Sequence, residues 1–319
     1  MKPALPILFL AAFGASADAQ PDARAAAAAS ARYAVDAPWT ASISKSDPSK
    51  LHINIIENRH GTLGTSVPIA ELNGLTAEEL KGTGRPVTFV LRRESGTITF
   101  SGRFANGTGQ GTLHYDADPA FFARLAAMGV RNDLTDRRTN VLALPMLDVR
   151  SDYIEALRRE GAFVDLSDYI GMRAVNVRPE MVHELKPLIA GTLRASDMMA
   201  LAALGVTPAY VREMRTAYRT LTASDLSSMK ALGVKPADIG QFKAIGLDVS
   251  PEDAAGMKAL GVTPDYVAEM RAAGARIRTP GDAQSFRALG ISPAAVKRTV
   301  AHGRPNPSAS DVMEANVRF

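Results

Sequence analysis

The chain has 319 residues, a formal charge of +4, 46% apolar and 22% charged residues, and no cysteine. The length predicts about two domains, and the missing cysteine excludes a disulfide scaffold, a thiol nucleophile and Cys-ligated zinc or iron–sulfur centres. So small a charge gives bulk electrostatics no case for nucleic acid, and one Trp with 6% aromatics leaves no dense stacking platform.

The first segment reads as an export signal. Lys2 supplies a positive start, Leu5 to Phe13 an apolar run, and Ala17-Asp18-Ala19 a small-x-small cleavage site, so residues 1–19 are predicted to be removed and the mature chain to begin at Gln20. The run is too short for a bilayer, which takes about 20 residues, and no later stretch qualifies. The predicted location is the periplasm or the secreted fraction, with no membrane span. Residues 20–37 are Ala-rich and predict a flexible leader.

Residues 38–116 predict a β-rich domain. Leu51 to Ile55, Val87 to Leu91 and Thr97 to Phe100 alternate apolar and polar residues with β-branched content, the pattern of half-buried strands. Glu94-Ser95-Gly96-Thr97 and Asn106-Gly107 are hairpin turns between such runs, giving about six strands in a meander or small open barrel. Thr76 with Glu79 three residues on predicts a capped helical turn. Residues 117–149 predict a helical connector. Asp118-Pro119 opens a helix with cap and N1 proline, and the apolar run Val141 to Met146 should dock on a neighbour.

Residues 150–303 predict a helical repeat array. Ala-Leu-Gly-Val-Thr-Pro occurs at Ala203 to Pro208 and Ala259 to Pro264, with variants ending at Pro236 and Pro293 and a degenerate copy ending at Pro179. Those prolines lie 29, 28, 28 and 29 residues apart, a period that marks an α-solenoid of helical hairpins. Second helices begin at Thr/Ser-Pro and bury pairs such as Val211 and Met214. First helices begin at Asp165, Thr222, Ser250 and Thr279, each with an aspartate three residues on, while the Arg194 unit keeps only Asp197. Gly205, Gly233, Gly261 and Gly290 end them. Tyr153 to Gly161 reads as the second helix of an earlier partial unit, and residues 304–319 as a flexible tail. The fold class is therefore α+β.

At these residues the chain resembles a known family. Repeats of the form x-S-x-D-x-L-x-x-L-x-x-x-G-V-T-P-x-Y-[VI]-x-E-[ML]-R-x-x-G follow the metallopeptidase domain of BlaR/MecR-type antirepressor membrane proteins, on the extracytoplasmic side. Thr207 to Arg215 and Thr263 to Gly274 match best, and Arg92 to Gly111 is similar to the strand-rich piece before such repeats. The resemblance covers about three quarters of the chain. It implies an extracytoplasmic binding or sensing module. The membrane helices and the His-Glu-x-x-His zinc helix of that peptidase are missing, so no protease role carries over.

Chemistry is sparse. His52, His60, His114, His183 and His302 show no i, i+4 metal spacing, though His52 and His114 are placed to meet across strands. Ser42-Ile43-Ser44-Lys45 matches the Ser-x-x-Lys of penicillin-recognising serine enzymes and Lys81-Gly82-Thr83-Gly84 only loosely resembles their Lys-Thr-Gly, but Ser42 falls in a strand rather than at a helix start. Gly102 to Gly111 is Gly-rich without the Lys-Ser/Thr of a phosphate loop. The final Phe319 is similar to an outer-membrane barrel signal without the strands of a barrel.

What remains is surface. Arg158, Lys186, Arg215, Lys243 and Arg271 recur one repeat apart, either as a positive stripe or as cations meeting helix C-termini. Tyr210 and Tyr266 recur early in second helices, as exposed contacts or as packing between hairpins. Tyr210, Tyr266, Arg215, Lys243 and Arg271 are the candidate partner contacts. No catalytic residue, metal or cofactor is predicted. The leading expectation is a non-catalytic interaction or sensing module for a protein or peptide partner in the periplasm, with a membrane protein among the candidates and no nucleic acid. The turn Leu-Gly-Val-x-Pro superficially resembles helix-hairpin-helix modules, but export opposes that reading. The alternative is a small-ligand sensor or enzyme with a site at the junction of β domain and repeats.

Overall fold

A computed structural model describes residues 33–58, 61–134 and 138–318. Residues 1–19, with the expected export signal, lie outside them, as does His60. The chain divides into two units, Met1–Ser151 and Asp152–Phe319.

Seven antiparallel strands build the first unit: β1 (Val35–Ile43), β2 (Lys50–Asn58), β3 (Gly61–Pro68), β4 (Leu72–Asn73), β5 (Thr83–Arg93), β6 (Gly96–Ala105) and β7 (Thr108–Ala117). Their order is β3-β2-β1-β7-β6-β5-β4. Two meanders are thus joined where the first strand pairs with the last, giving a half-barrel whose ends are β3 and β4. β1 begins at Val35, and Val35 and Ala37 are buried in it, so the end of the expected leader is sheet.

Alternation sorts the side chains. Trp39, Ile53, Ile55, Phe89, Phe100 and Tyr115 are buried on one face. The Trp39 ring meets Phe89 and Phe100 edge-on at 5.5 and 5.7 Å, and its indole N–H donates to the Thr112 carbonyl at 3.0 Å. The pairing is tight here: a Cβ on Gly102 would lie 2.6 Å from the Trp39 ring. Asn106 and Gly107, with φ of 50° and 76°, make the left-handed two-residue turn between β6 and β7. The Gly-rich stretch is therefore a hairpin.

Among the described residues this unit also has the α-helices α1 (Ala77–Lys81), α2 (Pro119–Ala127) and α3 (Arg138–Met146). Thr76 and Glu79 close a capping box on α1, and the Asp118 carboxylate accepts from the Ala120 amide at 2.8 Å on α2. Val141 to Met146 are all buried, and α3 packs on β1, β3, β5 and β6. The expected connector is thus part of the first unit's core.

The second unit is helical: α4 (Ser151–Glu160), then the pairs α5 (Leu166–Ala174) and α6 (Pro179–Leu185), α7 (Ala195–Ala203) and α8 (Pro208–Met214), α9 (Ala223–Leu232) and α10 (Pro236–Ala244), α11 (Pro251–Leu260) and α12 (Pro264–Ala272), α13 (Pro280–Ala288) and α14 (Pro293–Ala301), and last α15 (Ala309–Arg318). First helices pack on one another in series from α5 through α7, α9, α11 and α13 to α15. They bury one heptad-like face each, such as Leu226 with Met229 in α9. A fully buried Leu or Met is worth about 1.5–3 kcal/mol, so the core is a sum of small identical contributions.

The repeat motif explains the hairpins. At Gly205, Gly233, Gly261 and Gly290 the backbone turns left-handed, with φ between 63° and 68°. The next residue, Val or Ile, is buried, and its N–H reaches the carbonyl five residues back: Val206 to Leu201 at 2.9 Å, Val262 to Met257 at 2.9 Å. This is the Schellman stop with its apolar lock. In the degenerate copy Asn176 takes the left-handed position at φ 58° and Val177 reaches Met172 at 2.8 Å. Thr222–Asp225, Ser250–Asp253 and Thr279–Asp282 form reciprocal capping boxes. Asp197 accepts from the Arg194 amide and guanidinium instead, and Asp165 starts its helix without a side-chain capping bond.

The expected tail is a correction. Ser308 and Asp311 form a further capping box, with the Asp311 carboxylate accepting from the Ser308 amide at 2.8 Å and its hydroxyl at 2.6 Å. Val312 is buried, and α15 packs on α13 and α14. Residues 309–318 are thus the first helix of a sixth unit.

Candidate interaction surface

In the first unit several polar side chains are paired, while the buried Ser95 hydroxyl has no hydrogen-bond partner. His114 in β7 contacts Asp36 at 2.8 Å and Asp116 at 3.2 Å. The Asp36 bond, helped by Asp116, raises its pKa above the ordinary 6.5. His52 contacts Ser66 at 3.2 Å, and β1 lies between the strands of the two histidines, so they do not meet. Ser42 is a strand residue opposite His52 and Thr108. Glu94 accepts from the amide and hydroxyl of Ser151, at 2.8 and 2.5 Å, and from Arg124 at 2.9 Å. Partial burial alone would raise this carboxyl, but the Ser151 bonds and the Arg124 charge outweigh it and hold it below the carboxylate range. Among the described residues no group of three His, Asp or Glu side chains could hold a metal ion.

In the second unit the expected basic column resolves into two kinds of residue. Arg271 donates from Nη1 to the Ile245 carbonyl at 2.7 Å, at the end of α10, and from Nε to Ile277 at 3.0 Å. Lys186 reaches the Glu160 carbonyl at 2.9 Å, and Arg158 the Phe163 carbonyl at 3.2 Å. The Glu160 and Ile245 carbonyls lie at helix C-termini, where the dipole favours a cation, while those of Phe163 and Ile277 lie in the loops before α5 and α13. Arg215 and Lys243 are exposed.

The tyrosines pack between hairpins. Lys230 of α9 lies 4.6 Å over the ring of Tyr210 in α8, and Arg287 of α13 lies 5.0 Å over Tyr266 in α12. Arg173 stands 5.4 Å over Tyr153 in the same way. Each is a cation near the end of a first helix covering the third residue of the preceding second helix. The hydroxyls of Tyr210 and Tyr266 are buried without a hydrogen-bond partner.

Other interfaces depart from this pattern, with Met181 in α6 and Ala295 in α14 at the same position, and the one between α10 and α11 departs by placing a charge there. The residue equivalent to Tyr210 and Tyr266 in α10 is Asp238, and Lys258 of α11 pairs with it at 3.1 Å. A groove of about 700 Å³ opens there, lined by Val234, Asp238, Ile239, Phe242, Ala254, Lys258, Val262 and Pro264 among others. The core shows through it. Ile239 and Phe242 remain 8% and 7% exposed, whereas their equivalents Val211, Met214, Val267 and Met270 are at 0%.

A second feature escaped the sequence reading. The leucine of the Ala-Leu-Gly turn points outward in successive repeats: Leu232 is 39% exposed, Leu260 38% and Leu289 49%. In the first copy of the turn Leu204 is half-buried, so the outward leucines belong to the later repeats. The repeated motif itself was the available signal.

No family model matches the chain, and comparison with curated proteins and with solved structures finds no match either.

Proposed function

We propose that this chain is an exported, non-catalytic interaction module whose helical repeats receive a protein or peptide partner. The observation that carries the reading is the column of exposed leucines, Leu232, Leu260 and Leu289, set one repeat apart on a stacked scaffold. Large apolar side chains held outward in register are a feature of surfaces that meet another molecule. The resemblance of the repeats to the extracytoplasmic region of BlaR/MecR-type proteins supports the same reading, and residues 1–19 support export.

The test is photo-crosslinking in the producing cell, with a photoreactive residue in place of Leu260. A discrete adduct is expected, and it is lost when Leu232 and Leu289 become Ser while the melting temperature holds. Absence of an adduct, or one that survives those substitutions, overturns the reading. N-terminal sequencing of the mature chain is expected to start at Gln20.

A further inference from the structure

We infer that the groove in the third repeat is a receptor for an aromatic side chain, a tyrosine presented by a partner polypeptide. This deepens the interaction reading above and rests on it.

The array contains its own template for the occupant. At two neighbouring interfaces the position held by Asp238 carries a tyrosine, and a cation from the next hairpin lies over the ring at 4.6 or 5.0 Å. At the interface between, the scaffold is the same and the cation is present as Lys258, but the ring is missing. Its absence leaves apolar floor uncovered, and Ile239 and Phe242 keep exposure that their equivalents lack. An incoming tyrosine ring would cover that floor and lie under the Lys258 ammonium, as Tyr210 lies under Lys230.

The charges on the rim favour this occupant over an aliphatic one. Lys258 is paired with Asp238 in an exposed ion pair, and such pairs contribute little, so the ammonium can turn to a ring face at small cost. A phenol hydroxyl would stand beside Asp238, a carboxylate able to accept its hydrogen bond. The internal tyrosines lack such a partner, since their hydroxyls are buried unpaired. The groove also exceeds one side chain in volume and falls within the range of about 300–1,000 Å³ that holds ligands, which leaves room for backbone on either side of the ring.

The experiment is a titration of the full-length mature protein, labelled on Ile, Leu and Val methyls, with the blocked peptide acetyl-Gly-Tyr-Gly-amide. Saturable shifts confined to Ile239, Val234 and Val262 are expected, and acetyl-Gly-Leu-Gly-amide is expected to bind about fivefold more weakly, in line with the modest worth of a cation–π contact. Asp238→Tyr, which places in the third repeat the ring its neighbours carry, is expected to fold normally and to abolish binding. Lys258→Met, which keeps the chain but removes the charge, should weaken the tyrosine peptide and leave the leucine peptide unchanged. Free p-cresol binding where the peptide fails overturns the polypeptide occupant. Equal affinity for the two peptides overturns aromatic selection. No shift with the tyrosine peptide at about 10 mM, enough to fill a site of about 1 mM affinity, overturns the groove as a receptor whether or not the Leu260 adduct forms. Loss of that adduct alone bears on the wider reading only.

Discussion

Three side chains show how strongly local surroundings set what a residue does. Tyr266 has an apolar, cation-covered ring and a hydroxyl with nothing to bond, so the phenol oxygen is a cost rather than a contact. Tyr266→Phe is expected to leave the melting temperature unchanged or raise it by the equivalent of up to about 1 kcal/mol, whereas Arg287→Ala should lower it, since that cation also donates to the Leu260 carbonyl at 3.2 Å. His114 sits between two carboxylates, and its raised pKa means that the charged form is favoured in the fold. The stability this contributes is present in full below the ordinary 6.5 and is lost as pH rises through the folded value. An NMR titration is expected to place the His114 midpoint above 6.5 and to move it down in Asp36→Asn. An unmoved midpoint would show that the Asp36 bond is not the cause.

At the scale of the element, the array was legible because its punctuation is local. A cap, an N1 proline and a left-handed stop each involve a few neighbouring residues, so Thr263-Pro264 or Gly261-Val262 can be read without knowing the fold. Asn176 in the degenerate copy obeys the same geometry. Gly261→Ala should cost about 1–2 kcal/mol, because an L side chain pays that much to turn left-handed. Thr279→Ala removes a reciprocal cap and should cost about 1 kcal/mol. For Asp282, partial burial opposes ionisation, but the amides of Arg278 and Thr279 outweigh it and depress the pKa below the ordinary 3.8. Its contribution is therefore present above that value and lost as pH falls through the folded one. The melting difference between wild type and Asp282→Asn is expected to shrink on acidification, and a constant difference would refute the assignment. What the sequence did not disclose was long-range. That α3 packs on β1, β3, β5 and β6 depends on strands up to about a hundred residues earlier, and nothing in Val141 to Met146 names them. Helix α15 was legible in principle, since Ser308 and Asp311 repeat the cap 29 residues after Thr279 and Asp282.

Across the second unit, stability is shared among stacked neighbours, and the end of the stack matters as much as its middle. Helix α15 packs on α13 and α14 and places Val312 in the interior. Deleting residues 304–319 is expected to lower the melting temperature of the helical unit and to raise binding of a hydrophobic dye, as the faces of α13 and α14 that pack on α15 lose cover. An unchanged melt would mean that the fifth pair closes the stack by itself. The groove belongs to this scale too. It arises from a difference among units, and becomes visible only when Met181, Tyr210, Asp238, Tyr266 and Ala295 are set side by side as one position of the repeat.

The common capping register has a consequence for growth. Because the first helices α9, α11 and α13 share one cap and pack on one another in series, the chain can be lengthened by whole periods in this stretch without a new joint having to be invented. A duplicated block from Pro236 to Thr263 would enter in phase and carry its own Asp238 and Lys258. The number of receptor grooves would then be set by copy number, and two of them on one rigid stack would engage a partner bearing two tyrosines with the advantage of a tethered second encounter.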